Sequence, residues 1–281
     1  MTTRIDLAQL RQRIACIPAL STQSRAAGVL SVGVTSVDAY LQNAAVPLGA
    51  VHEIAGHGGD EEQGAAGAEF LALALKANVT SGWIAWVTQD ADLYAPGLAA
   101  LGLDLRRLIL VSARRDAEVC WALEEALRSR SLKAVVGEIG VLALNATRRL
   151  QLAAEQAGVP CFLLRRWRTQ ELAAQQRAQP IAAVSRWRIA PQLHPSIPDQ
   201  NLTTLSELGP TYWRLDLWRC RNAAVASWIM EFDHADEQRV AAFPVPVAAA
   251  LADRSISETA KSQSAAEPET ERATATLLRF G

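Results

Sequence analysis

Gly56-His57-Gly58-Gly59-Asp60-Glu61-Glu62-Gln63 follows an apolar run ending at Ile54, where a nucleotide-binding core carries its phosphate loop. Such a loop is spelled G-x-x-x-x-G-K-[ST]. Its glycines let backbone N–H groups close on the phosphates, its lysine meets the β/γ charge, and its hydroxyl holds Mg²⁺. Counting from Gly56 puts Glu61, Glu62 and Gln63 at the last three positions, so the lysine and the hydroxyl are both missing. Asp60, Glu61 and Glu62 instead present carboxylates in series, and each close pairing with a phosphate is repulsive by about 1–4 kcal/mol. The residues Gly56, Gly59, Glu61, Glu62 and Gln63 are therefore predicted to mark a degenerate, non-functional nucleotide site.

Two further carboxylates belong to the same pattern. Glu138 follows Val135-Val136-Gly137, close to the position of the acid that ends the metal-holding strand of an ATPase. Asp90 follows the apolar strand Trp83–Val87, where a hydrolytic core keeps its water-activating acid. With no phosphate to hold, neither has a hydrolytic task, and both are read as vestigial or structural. Ser112 and His57 lack triad partners. No catalytic residue, cofactor or metal is expected.

Arg165, Arg166, Trp167, Arg168 and Arg177 combine guanidiniums with an aromatic ring, a set able to pair phosphates and stack a base. The same residue types are common protein-contact anchors, and a solvated arginine-rich loop has this composition too. DNA contact, partner contact and neither stay open. At the far end, Leu277, Leu278, Arg279 and Phe280 follow a polar Ser/Thr/Glu/Ala stretch. A polar tether ending in apolar anchors has the form of a linear binding segment, and a frayed terminus is the alternative.

The elements that must position these groups are legible from periodicity. Residues 3–15 read as a short amphipathic helix with Leu7, Leu10 and Ile14 on one stripe. Trp83–Val87, Leu108–Val111, Ala134–Val136 and Cys161–Leu164 are short apolar strands. Helices alternate with them: about Gly67–Ala77, Asp116 to about Arg130, and one capped by Asn145 and ended by Gly158. This alternation predicts an α/β fold, a mostly parallel twisted sheet with helices on both faces. Ser185–Ile189, Tyr212–Cys220 and Ser227–Phe232 lack helices between them and are predicted to extend the sheet in antiparallel fashion. Trp187 and Trp213 alternate with arginines, which makes one sheet face apolar and the other basic.

The 281 residues suit one large domain, are half hydrophobic, and carry a net charge of −1, so no global basic field draws the chain to nucleic acid. Lysine occurs only as Lys76, Lys133 and Lys261; the other 25 of 28 basic residues are arginine, a bias that a GC-rich genome produces. Cys16, Cys120, Cys161 and Cys220 are scattered, as in reduced thiols of a cytoplasmic protein. There is no apolar run of membrane length and no signal-peptide pattern.

The order of elements from Leu30 to Phe232 resembles the RecA-type core. The resemblance rests on the G-x-x-x-x-D turn Gly33–Asp38, Pro47-Leu-Gly49, the H-E-I-A-G run His52–Gly56, and Gly102-Leu-Asp104 before Leu108–Val111. Within that superfamily the chain resembles the ImuA family, through its W-R-containing strands, the Cys161–Arg166 segment C-F-L-L-R-R, and the tail from Ala252 to Ala260 before Leu277–Phe280. The resemblance implies residues 1–28 as an N-terminal helix and linker, 29–250 as a RecA-like core without a functional phosphate loop, and 251–281 as a flexible tail. It implies a non-catalytic accessory protein of SOS-induced translesion DNA synthesis. The implied partners are an ImuB-like, Y-family-related protein, an error-prone DNA polymerase alpha subunit, and RecA. Leu277, Leu278, Arg279 and Phe280 become the candidate ImuB-binding tail. Two rivals are an ATP-dependent recombinase with a displaced loop and an SOS cell-division inhibitor. The first needs a phosphate-binding cation, and the nearest lysine, Lys76, lies at the far end of the following helix.

Overall fold

The computed structural model describes residues 28–192, 211–232 and 240–245. After helix α1 (Thr35–Asn43) the chain runs β1 (Val51–Gly56), α2 (Asp60–Asn78), β2 (Trp83–Thr88), α3 (Ala95–Ala100) and β3 (Leu108–Ser112). It continues through α4 (Asp116–Ser129), β4 (Leu132–Ile139), α5 (Leu144–Ala157), β5 (Cys161–Arg165) and α6 (Gln170–Ala178). Four more strands follow: β6 (Ser185–Gln192), β7 (Thr211–Cys220), β8 (Ala226–Phe232) and β9 (Val240–Val245). They form one sheet in the order β3-β2-β4-β5-β1-β6-β7-β8-β9. The first compact unit of the chain runs to Pro244, so it holds all these elements except the last residue of β9; a second unit begins at Val245.

From β3 to β6 every pairing is parallel. The strands β7 and β8 are antiparallel additions. This is the expected mostly parallel, helix-flanked α/β core with antiparallel strands on its C-terminal side. One strand departs from the sequence reading. β6 is parallel to β1, with His52 opposite Ser185 and Ile54 opposite Trp187. The cause is α6, which fills the stretch after β5 that the sequence left as a loop and returns the chain to the starting end of the sheet. β7 runs antiparallel to β6, and β8 antiparallel to β7, to which it is joined without a helix.

Side-chain alternation divides the core. Ile84 and Trp86 of β2 face the layer of α1, α2 and α3, together with Phe70, Leu71, Phe162 and Trp187. Ala85 and Val87 face α4 and α5, against Val119, Leu123, Leu150 and Leu163. Five of the eight tryptophans, including Trp187 and Trp213, are buried. Each fully interior aliphatic or phenylalanine side chain of these layers contributes about 1.5–3 kcal/mol. Asn145 does not cap α5, which begins one residue earlier after Ala143. Gly158 does close it, with φ +66° in the left-handed region that glycine adopts without strain. Cys120, Cys161 and Cys220 are free thiols, the first two buried, while Cys16 lies outside the described residues. Among the described residues no helix is long and apolar enough to cross a membrane.

Candidate functional site

β1 ends at Gly56 and α2 begins at Asp60, which leaves only His57, Gly58 and Gly59 between them. This link is held by several contacts within the chain. The His57 N–H donates to Ile189 O at 3.1 Å, and its carbonyl accepts from the Arg177 guanidinium. The ring Nε2 lies 3.0 Å from Asp216 Oδ2. Burial pushes the Asp216 carboxyl up, but hydrogen bonds from His57 and Ser227, with the His57 and Arg214 charges, hold it well below the usual carboxylate range. Gly59 packs on the main chain of Arg168–Gln170, with 3.6 Å from its ideal Cβ position to the nearest atoms. A Cβ at Gly59 would make ordinary van der Waals contact with that main chain.

Glu61, Glu62 and Gln63 sit in the first turn of α2, and their side chains lie outside the described residues. Their place on the backbone is informative. A helix N-terminus carries about half a positive charge, which attracts phosphate. Here the sequence fills that first turn with Asp60, Glu61 and Glu62.

The two strand-end acids are also occupied. Glu138, 2% exposed, accepts from Trp86 Nε1 at 2.7 Å and Thr88 Oγ1 at 3.0 Å, and its Oε2 lies 2.7 Å from Arg166 Nη1. Burial raises its affinity for a proton, and Trp86, Arg166 and Thr88 oppose that. The other arm of Arg166 reaches Asp92 Oδ2 at 2.6 Å, an ion pair that lowers the pKa of Asp92. Asp90 is paired with Arg168 at 3.0 Å. The segment after β5 therefore folds over the ends of β2 and β4, and its guanidiniums neutralise the acids. The main chain beyond β4 is tied down as well: Gly140 and Val141 N–H donate to the two oxygens of Asp116 at 2.9 and 2.8 Å. A polar cavity of about 180 Å³ remains, lined by Gln89, Asp90, Asp116, Glu138, Arg166 and Arg168.

Arg165 and Trp167 point to the opposite side of the strand ends. Both are buried, at 4% and 2% exposure, so Trp167 is not presented for stacking on a base. The Trp167 indole lies between Arg165 and Arg177, 5.2 and 5.6 Å from its ring centre. Arg165 Nη2 donates to Gly140 O at 2.8 Å, and its Nε approaches Glu53 Oε1 at 3.5 Å. Glu53 is buried in β1 and also pairs with Arg186 of β6. Of the five arginine and tryptophan candidates, Arg168 is the one with a largely exposed side chain, at 76%. Leu277, Leu278, Arg279 and Phe280 lie outside the described residues.

Sequence reading gathered Asp90, Glu138, Arg166 and Arg168 without pairing them, because Asp92 and the return of the post-β5 segment are tertiary facts. It overlooked Glu53 and Asp216. A signal existed for both: arginines at inward-facing strand positions require a buried acid nearby. The predicted contrast of sheet faces is present on β6 and β7. Trp187, Trp213, Leu215 and Leu217 join the apolar layer, whereas Arg186 and Arg188 flank the Trp218 ring on the other side, at 4.6 and 3.6 Å.

Fold and site together define an α/β core, a mostly parallel sheet flanked by helices, in which the short link after β1 and the strand-end acids are engaged by side chains of the same chain. No family model matches the sequence. Two curated relatives do: the proteins named Protein ImuA of Caulobacter vibrioides strains NA1000 / CB15N and ATCC 19089 / CIP 103742 / CB 15. Each is 37% identical over 232 residues, spanning 81% of this chain and 92% of the relative. The chain belongs to the ImuA family.

Proposed function

We propose that this protein is a non-catalytic RecA-like accessory factor of SOS-induced translesion DNA synthesis. It works in the cytoplasm by touching other proteins: an ImuB-like Y-family-related protein, an error-prone DNA polymerase alpha subunit, and RecA, whose activity it modulates. The family membership supports the setting. The single observation that carries the non-catalytic part is the double engagement of Arg166 with Glu138 and Asp92. An acid that must coordinate metal or activate water has to be free to do so, and this one is spent on a guanidinium of its own chain.

Partner contact falls to the C-terminal Leu277, Leu278, Arg279 and Phe280, whose apolar anchors behind a polar tether suit exchangeable binding to ImuB. Arg168 at the mouth of the closed site is the exposed cation for a further contact with a partner or with DNA. Affinity purification of the tagged chain from cells after DNA damage tests the reading. Recovery of the ImuB-like protein with the polymerase subunit is expected. Recovery of the tubulin-like division protein in their place would favour the division-inhibitor rival and overturn the assignment.

A further inference from the structure

On the α2 side of Arg166 lies a second cavity, of about 400 Å³, lined by Ala68, Glu69, Leu93, Tyr94, Leu98 and Leu101, with Asp92, Glu138 and Arg166 at its floor. Its walls are the small and branched side chains of α2 and α3. Its size falls within the range of small-ligand pockets, about 300–1,000 Å³. Nothing in the nucleotide-site account uses it.

The charges in this cavity do not balance. Among the described residues Arg166 is its one lining cation, and it is already committed to Asp92 and Glu138. Glu69, half-buried in the wall, makes no hydrogen bond or ion pair among the described residues. Burial alone raises its affinity for a proton, the mark of a carboxylate lacking a compensating donor. A phosphate-bearing ligand meets three acids here against one paired guanidinium. The complementary occupant is an apolar stem with a positive head, the shape of an arginine or lysine side chain. Tyr94, 72% exposed beside Gly97, forms an aromatic rim of the kind that anchors protein contacts and gives the residues flanking such a side chain a surface to lie on.

We propose that this cavity receives an arginine or lysine side chain presented, next to an apolar residue, by an extended segment of a partner protein, with Glu69 meeting the cationic head. The inference rests on the reading of the core as a non-hydrolytic, protein-contacting module, and names the chemistry of one contact.

The test is a calorimetric titration of the full chain with the peptide acetyl-Leu-Arg-Leu-amide and its citrulline counterpart, which keeps the shape and removes the charge. The arginine peptide is expected to bind about tenfold or more tightly than the citrulline peptide, as a charge-assisted hydrogen bond provides. Glu69→Gln should abolish that preference, Glu69→Asp should retain much of it, and Ala68→Trp should remove binding of both peptides by filling the cavity. Equal affinities in the wild-type chain, or a preference that survives Glu69→Gln, overturn the assignment. Mg·ATP in the same titration separates the two levels. Tight nucleotide binding would defeat the non-hydrolytic reading itself, whereas peptide indifference without nucleotide binding defeats only the cavity.

Discussion

Arg166 Nη1 lies 2.7 Å from Glu138 Oε2, and this pair forms the partition between an apolar cavity beside α2 and a polar cavity beside Asp116. The guanidinium is mostly buried and the carboxylate almost wholly so. Taking away one partner of such a pair is expensive because the other charge stays in a low-dielectric site. Arg166→Ala should lower unfolding free energy by about 2–4 kcal/mol. Adding Glu138→Gln to that variant should recover part of the loss, since no buried charge then remains uncompensated. Urea unfolding of the two single variants and the double variant measures the coupling. Additive losses would contradict a direct interaction.

Acidification should weaken the fold through His52. Its ring is fully buried between Ser185 Oγ at 2.8 Å and Leu48 O at 3.2 Å, and burial lowers its pKa from 6.5 to about 4. Between those two values the unfolded chain binds a proton that the folded chain refuses. Stability is therefore whole above about pH 6.5 and falls as pH drops towards 4, by an amount on the order of 3 kcal/mol. Unfolding free energies measured across that window should show this slope, and His52→Gln should flatten it.

Asp216 acts at lower pH. Its folded pKa is depressed, so its contribution is present above about pH 4 and disappears as pH falls further, through protonation of the folded carboxylate. Asp216→Asn should lower stability at neutral pH, where Arg214 loses its counter-charge and the His57 ring its acceptor, and have little effect in strong acid. A neutral-pH stability equal to that of the wild type would show that the link after β1 does not depend on this pairing.

Gly137 tests the packing that positions Glu138. A methyl group at this position would stand 2.5 Å from Leu123 Cδ1 and 3.1 Å from Val119 Cγ1, both buried on α4. Gly137→Ala should destabilise by about 1–3 kcal/mol through overpacking. Thermal unfolding of the variant measures it.

Much of the core was legible because its strands are short, apolar and spaced by helices of regular period. Trp83–Val87 and Leu108–Val111 read correctly for that reason. Ser185–Ile189 was misdirected because α6 is mostly polar, with Gln170, Glu171, Gln175 and Gln176 hiding its helical stripe. At the site, the absence of a lysine after Gly56 and the positions of Asp90 and Glu138 beside β2 and in β4 are legible in the sequence. What occupies them was not legible. Arg165, Arg166 and Arg168 alternate between two sides of the strand ends, and only the returning chain shows which acid each one meets. In the sequence a local run of basic residues left DNA contact, partner contact and neither open, and the structure pairs Arg165, Arg166 and Arg168 with acids of the same chain.

Deleting residues 264–281 tests the proposed division of labour. The melting temperature of the core should stay unchanged while capture of the ImuB-like protein is lost. Retained capture would move the contact away from Leu277–Phe280.

The most direct measurement is equilibrium binding of Mg·ATP to the purified chain, combined with phosphate release in the absence and presence of single-stranded DNA. No retained nucleotide and no DNA-stimulated release are predicted, in the wild type and in Arg166→Ala alike, because the loop lacks its lysine as well as a free acid. Tight nucleotide binding with turnover, altered by Glu61→Ala or Glu62→Ala, would contradict the account.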